Sequence, residues 1–387
     1  MNPIRFGIVG LGSMAINHAK TMLEKTPHAK LCAVASRNEK NIAALRAMPG
    51  YENVAVFDTP EAMYESGAID AVLIASPHRA HVQQATQAFA HGMHVLLEKP
   101  TGVHTAEVRR LNEAAKASGK AFGVMFNQRT NPVYREMKRI VSSGELGEIR
   151  RVSVIITDWF RAQSYYDSAA WRATWKHDGG GVLLNQAPHN LDLWQWICGM
   201  PVRVRAFCGF GRWHDIEVED DVTAYVEYAN GATGTFVTST GEMPGTNRFE
   251  ISMDGGQLVY EHGRLTMTKT EMPADEFIRT YQGGYGKPKT TVEDITPEEE
   301  NPMHAGVIEA FAQHILDGTP MVAEGCEGIE SLMLCNAMIL STWTGETIEL
   351  PFDAKADERF EAMLEEKAAC SREKQAKEIT LNVGGSF

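Results

Sequence analysis

Gly10-Leu11-Gly12-Ser13-Met14-Ala15 stands where an apolar strand pattern, Ile4 to Val9, gives way to a helix-like run from Met14 to Leu23. It fits G-x-G-x-x-[G/A], a loop that cradles the pyrophosphate of a dinucleotide. The first glycine permits the tight turn, the second lets the backbone approach the phosphates, and a small third residue lets helix and strand pack closely. The helix N-terminus then offers the N–H groups of Gly12, Ser13 and Met14 to anionic oxygen. At the end of the second strand, where an acidic residue usually holds a ribose 2′-hydroxyl, the chain has Ser36-Arg37-Asn38. A hydroxyl and a guanidinium suit a 2′-phosphate, so NADP is favoured over NAD; the alternative is an Arg37 that points to solvent.

Two further stretches carry reactive side chains. Glu98-Lys99-Pro100 follows the apolar run Val95 to Leu97 directly. Ligands of doubly wound sheets bind off the carboxyl ends of the strands, so Glu98 and Lys99 should face the cofactor. The proline fixes the backbone there, a cis peptide being one way. Ser76-Pro77-His78 and His81 follow the fourth strand in the same manner, and either histidine could touch ligand or serve a helix N-terminus. The second stretch runs Gly179-Gly180-Gly181-Val182-Leu183-Leu184-Asn185-Gln186-Ala187-Pro188-His189-Asn190-Leu191-Asp192. Its glycine entry is followed by helical spacing, which would project Asn185 and His189 from one helix face, with Asp192 three residues on. Ahead of it Trp159, Phe160, Tyr165, Tyr166, Trp171 and Trp175 are interleaved with Arg161, Arg172 and Lys176. Aromatic faces beside charged donors suit a sugar ring, with core packing or a subunit contact as the alternative. Trp159, Arg172 and Trp175 are the expected ligand contacts.

These groups need elements to hold them. Up to about residue 125, short apolar runs alternate with helix-like segments at the spacing of right-handed crossovers and a parallel sheet. Beyond Asn127 the pattern changes to short strands with turn signals at Asn230-Gly231 and Asp254-Gly255-Gly256, which implies an antiparallel sheet. Two helices follow, near His304 to Leu316 and Gly328 to Thr342. The tail from Asp353 to Lys377 is charged with a weak apolar stripe and reads as an exposed helix.

Taken together, the glycine loop, the Glu98-Lys99-Pro100 loop and the Gly-Gly-Gly…His189…Asp192 segment resemble the Gfo/Idh/MocA family of nicotinamide-dependent sugar and polyol oxidoreductases over about residues 1 to 350. The resemblance implies that Lys99 holds the reacting hydroxyl and stabilises developing negative charge, while His189 is the general acid/base. It places Asn127, Gln128 and Arg129 along the nicotinamide and substrate pocket. The family commonly has aspartate four residues before the histidine; this chain has Asn185, which can orient a substrate but cannot take a proton. The implied architecture is α/β: a Rossmann domain over 1–126, a substrate-binding and oligomerisation α/β domain with a large, mainly antiparallel sheet over 127–352, and a charged extension over 353–387. An open sheet face of that size calls for a homodimer or homotetramer. Two other functions remain: a glycoside-cleaving enzyme that uses transient oxidation, and a cofactor-binding regulator without catalysis.

Composition narrows the field. The 387 residues are 43% hydrophobic and 22% charged, an ordinary globular mixture that suffices for a large core. A formal charge of −13 argues against nucleic acid and against a polybasic membrane contact. None of the six cysteines forms a CxxC pair, so neither a disulfide framework nor a metal is expected. Strand pattern begins by Ile4, which leaves no room for a signal peptide, and no apolar run reaches spanning length; a cytoplasmic location is expected.

Overall fold

The computed structural model describes residues 2–377 and Ile379. The chain forms two compact units: one takes the residues up to Asn131 together with Asn301–Leu332, the other Pro132–Glu300 together with the chain from Met333.

The first unit begins with β1 (Ile4–Val9), α1 (Ser13–Lys25), β2 (Ala29–Ala35), α2 (Glu39–Arg46), β3 (Ala55–Phe57), α3 (Pro60–Glu65) and β4 (Ala71–Ile74). It continues through α4 (His81–Ala90), β5 (His94–Leu97), α5 (Thr105–Ser118) and β6 (Phe122–Val124). The six strands are parallel in the order β3-β2-β1-β4-β5-β6, the doubly wound order with its reversal between β1 and β4. The strands read as unbroken apolar runs because both sheet faces are covered; all four residues of β4 are buried. Helix α1 buries Ala15, His18, Ala19 and Met22, the three-and-four spacing of one face.

The second unit opens with α6 (Pro132–Ser143) and β7 (Ile149–Ile156), then α7 (Gln163–Asp167), α8 (Val182–Asn185) and α9 (Pro188–Cys198). The strands β8 (Arg203–Phe210), β9 (Glu219–Glu227), β10 (Thr233–Ser239), β11 (Asn247–Met253), β12 (Gly256–Glu261) and β13 (Arg264–Thr270) follow. Helix α10 (Ala274–Thr280) and strand β14 (Thr290–Asp294) complete the stretch. Nine strands, counting β15 below, form one sheet in the order β14-β13-β12-β11-β7-β10-β9-β8-β15, antiparallel except for β7 beside β10. One face packs on helices: Trp194 of α9 stacks on Phe236 of β10 with centroids 5.4 Å apart, and Tyr134 of α6 meets Tyr260 of β12. The other face alternates outward, with Phe207 64% and Tyr225 43% exposed.

A division of the chain near residue 126 leaves out one feature. Helix α11 (Met303–Asp317) folds with the parallel sheet, where Phe311 packs against Phe6 of β1. The apolar flank of β1 and α1 needs a cover, and α11 supplies Val307, Ile308, Phe311 and Ala312. Helix α12 (Gly328–Thr344) follows, and its later residues, β15 (Ile348–Glu349) and α13 (Ala354–Ala369) belong to the second unit. Helix α13, expected to be exposed, instead buries Phe360, Leu364 and Ala368, with Phe360 stacked on Trp343. The weak stripe in the sequence is a docking face. All six cysteines are free. Among the described residues no helix is long and apolar enough to cross a membrane, and no group of three or more His, Cys, Asp or Glu side chains is placed to hold a metal ion.

Candidate active site

The dinucleotide loop is built as its residue types require. Gly10 has φ +81, and a Cβ there would come within 2.8 Å of the Ala75 carbonyl oxygen. At Gly12 a Cβ would meet nothing within 4 Å, so the space a pyrophosphate needs lies open above the loop. No side chain caps α1, which leaves its first-turn N–H groups to an anion. Asn41 of α2 donates to the Leu11 carbonyl at 2.5 Å and steadies the loop from the side. Arg37 is exposed past the end of β2, and Ser36 Oγ accepts from Asn38 N at 3.2 Å. These residues fit a bound dinucleotide.

At the carboxyl end of β5, Lys99 is partly exposed and its peptide bond to Pro100 is cis. Behind it lies a buried carboxyl–imidazole pair. Glu98 Oε1 is 2.6 Å from His18 Nε2 of α1, and Glu98 Oε2 accepts from Lys99 N at 3.1 Å. Burial opposes ionisation of Glu98, but the His18 hydrogen bond and the charges of His18, His304 and Lys99 outweigh it and hold the carboxyl at about 2. His304 of α11 stands edge-on to His18 at 5.1 Å, and burial, with the His18 ring, pushes it down to about 4. Glu98, expected at the cofactor, therefore acts behind Lys99.

His81 is corrected likewise. It is fully buried, its two ring nitrogens lie 2.7 and 2.8 Å from the carbonyls of Pro100 and Ser76, and burial lowers it to about 4. Its ring sits between the β4 loop and the Lys99 loop, a neutral imidazole that donates its one N–H to one of the two carbonyls. Ser76, Pro77 and His78 remain at the sheet's carboxyl edge, with Ser76 Oγ donating to Gln84 Oε1 at 2.6 Å. Asn127 is buried with its Oδ1 unmatched by any hydrogen-bond donor, and Gln128 is partly exposed beside it. Arg129, expected to bind substrate, is buried, ion-paired with Glu327 and 5.5 Å over the Phe126 ring. Its charge serves the first unit's own packing.

In the second unit the glycine run turns tightly because Glu219 holds it. Glu219 Oε1 accepts from Gly181 N at 2.9 Å and Leu183 N at 3.0 Å, and burial raises this carboxyl to about 7. A Cβ on Gly181 would lie 1.9 Å from the Glu219 carbonyl oxygen. The single helix expected through Asn185 and His189 does not form. Helix α8 stops at Asn185 and α9 starts at Pro188, because proline has no N–H for the Leu184 carbonyl and its ring blocks continuation. Asn185 and His189 thus stand on two short helices joined by a turn, and both are partly exposed. Asp192 is buried and accepts from Gln195 at 3.0 Å.

Around them Arg172 lies 4.5 Å over the rings of both Tyr165 and Trp171 and donates to the Tyr165 hydroxyl at 2.9 Å. Gln186 donates to the same hydroxyl at 3.3 Å, and Asn185 Nδ2 donates toward the Asp178 carboxylate. Trp159 reaches Asn190 Oδ1 at 3.4 Å. Trp175, expected at the ligand, is buried between Phe210 and Trp343, which gives it a packing role. The structure thus gathers Tyr165, Arg172, Asn185 and Gln186, and adds Asp178 and Glu219. Spacing offered no sign of Glu219, which reaches the glycine run from another strand.

A dinucleotide loop on a reversed parallel sheet, a lysine at its carboxyl edge and a second sheet-rich unit define a nicotinamide-linked oxidoreductase. Residues 4–126 match the model of an oxidoreductase family with an NAD-binding Rossmann fold, and residues 134–259 match the GFO/IDH/MocA C-terminal domain. The chain belongs to the GFO/IDH/MocA oxidoreductase family. It is 26% identical to D-glucoside 3-dehydrogenase of Escherichia coli (strain K12) over 90% of this chain and 98% of that protein. It is 25% identical to scyllo-inositol 2-dehydrogenase (NAD(+)) of Bacillus subtilis (strain 168) over 60% of this chain and 66% of that protein. Several other curated relatives are spanned over only 55 to 59% of their length. The WlbA dehydrogenase from Bordetella pertussis, solved with NADH and UDP-GlcNAcA, superposes with a TM-score of 0.78 at 26% identity, covering 91% of this chain and 99% of that one.

Proposed function

We propose that the protein moves a hydride between NAD(P) and a hydroxyl-bearing carbon of a sugar, sugar derivative or cyclitol. The observation that carries this reading is Lys99 at the carboxyl edge of the same sheet whose glycine loop is shaped for a dinucleotide. Relatives named for glucoside and inositol oxidation support the substrate class. The bound nicotinamide supplies the hydride acceptor or donor. Lys99 donates to the reacting oxygen and stabilises its charge, and His189 takes the hydroxyl proton in oxidation and returns it in reduction. The two electrons leave with the hydride, the proton goes to His189, and the C–O bond becomes a carbonyl. Asn185, Arg172 and Trp159 hold the remaining hydroxyls, while Asn127 and Gln128 face the nicotinamide.

Ser36 and Arg37 take the 2′-phosphate of NADP, although relatives are named with NAD(+) or solved with NADH. The outward face of the nine-stranded sheet is covered by a second copy of the chain. A panel of sugars, glycosides and cyclitols offered with each cofactor, read by nicotinamide absorbance, tests the proposal. Net NAD(P)H formation is expected with at least one of them. Glycoside cleavage without net NAD(P)H would move the reading to transient oxidation, and no turnover in either direction would end it.

A further inference from the structure

Ala173 directly follows Arg172 and takes φ +54, a backbone region that costs any residue with a Cβ. Such a conformation persists only where its surroundings fix it. Here three segments of the second unit do so. Asp178 Oδ2 accepts from Ala173 N at 2.9 Å. Glu217 N donates to Ala173 O at 3.4 Å, and Glu217 Oε2 accepts from Trp175 N at 3.3 Å. The third segment, residues 371–377, continues from α13 without helix or strand. From it Lys374 Nζ donates to the Tyr166 carbonyl at 2.7 Å and to the Arg172 carbonyl at 3.3 Å. We propose that residues 371–377 are a strap that positions the turn at Arg172 and Ala173 for substrate, with Lys374 as the positioning residue. The inference rests on the reading that the Arg172 segment meets substrate.

The strap is fastened at both ends. Ser371 Oγ donates to Glu217 Oε2 at 2.7 Å and accepts from Lys176 N at 3.0 Å, while Arg372 N donates to Glu217 Oε1. Lys377 N donates to the Asp167 carbonyl at 2.9 Å, and its Nζ pairs with Asp167 Oδ2 at 2.7 Å. These contacts differ in weight. Arg372 and Asp215 pair at 2.9 Å with both side chains exposed, where water and salt leave such a pair little force. Lys374 is half-buried and meets two carbonyls that matter to the loop. The Tyr166 carbonyl lies in the last turn of α7, where no N–H of the helix is left to meet it, and the Arg172 carbonyl opens the strained turn. Without the Lys374 amine the turn can relax toward negative φ, which carries the Arg172 guanidinium away from the Tyr165 and Trp171 rings. Substrate must then restore the turn as it binds, so the loss falls on KM rather than on kcat.

The test compares wild type, Lys374→Met and Lys374→Arg, all as full chains. Methionine keeps an apolar stem and no donor, whereas arginine keeps donors enough for two carbonyls. Chymotrypsin reads the loop, because Tyr165, Tyr166, Trp171 and Trp175 lie in it while residues 371–377 contain no aromatic residue. NAD(P)H formation from a methyl D-glucopyranoside and from myo-inositol reads the substrate contact. Lys374→Met should be cut in the loop at least about fivefold faster and should raise KM about three- to tenfold, with kcat and cofactor affinity within about twofold. Cleavage outside the loop should keep its wild-type rate, and Lys374→Arg should restore most of both losses. Loop cleavage and KM unchanged in Lys374→Met overturn the strap, and so does acceleration at every site alike, which is loss of fold. Faster loop cleavage with KM unmoved overturns the positioning for substrate. Wild type inert toward both probes overturns the substrate side of the inference together with the proposed function, and the cleavage rates tell that failure from failure of the strap.

Discussion

Arg37 stands exposed at the carboxyl end of β2, and the proposed function has its guanidinium hold the 2′-phosphate of NADP. A charge-assisted hydrogen bond is worth roughly 1.5–3 kcal/mol, so Arg37→Ala should weaken NADP by about ten- to a hundredfold and leave NAD nearly unchanged. Fluorescence titration with both cofactors decides this, and equal losses for both would remove Arg37 from cofactor choice. In the proposed mechanism Lys99 and His189 act on the reacting hydroxyl and not on the dinucleotide. Lys99→Met and His189→Ala should each lower kcat by roughly 10²–10⁴-fold while cofactor affinity stays within a few-fold. Near-native turnover in either variant would take that residue out of the chemistry.

The turn from Gly179 into α8 depends on one carboxylate and one missing side chain. Gly181→Ala would drive a Cβ into the Glu219 carbonyl, a backbone atom that cannot swing aside. The expected cost is about 3 kcal/mol or more, visible as a lowered midpoint in urea. An unshifted midpoint would mean that the turn relaxes freely. Glu219 also sets a pH dependence. Its carboxyl is raised to about 7 in the fold by burial, against an ordinary value of 4.5. Between those values the folded chain holds the proton more tightly than the unfolded one, so the stabilisation is complete below the lower value and is lost as pH rises through the upper. Stability should therefore fall from pH 5 to pH 8. Glu219→Gln, whose amide oxygen can accept the same two N–H groups, should flatten that fall by roughly 1–3 kcal/mol. Parallel urea midpoints for wild type and variant across the range would contradict the assignment.

For the molecule as a whole, the outward face of the nine-stranded sheet carries Phe207 and Tyr225 on neighbouring strands, two residue pairs apart in register and so diagonal neighbours on one face. Large exposed rings in such an array mark a contact surface, and a self-complementary one gives a closed dimer. Light scattering should find a dimer or a multiple of it. Phe207→Glu with Tyr225→Glu should shift the mass toward the monomer without loss of secondary structure. A monomeric wild type at micromolar concentration would sink the idea.

Much of the architecture was legible because its signals are local. Strand–helix alternation, the glycine loop opening α1 and the lysine ending β5 each depend on neighbours in sequence, and periodicity reports neighbours faithfully. Strand β8 was not legible, since Phe207 stands exposed where the alternation set by Arg203 and Arg205 would have a polar side chain, and Arg205 finds its partner, the Ser341 carbonyl, only in tertiary contact. The sequence by itself determined the family resemblance, the two kinds of sheet and which side chains are candidates for the reactive groups. Only tertiary structure decided which of those groups are available. Trp175, His81 and Arg129 were spent on packing, ring-to-carbonyl ties and an ion pair, because a buried polar or aromatic group must satisfy its own surroundings first. The placement of Asp178 behind Asn185 and of Glu219 beneath Gly181 likewise arises from chain segments that meet only in the fold, where separation along the sequence no longer measures distance.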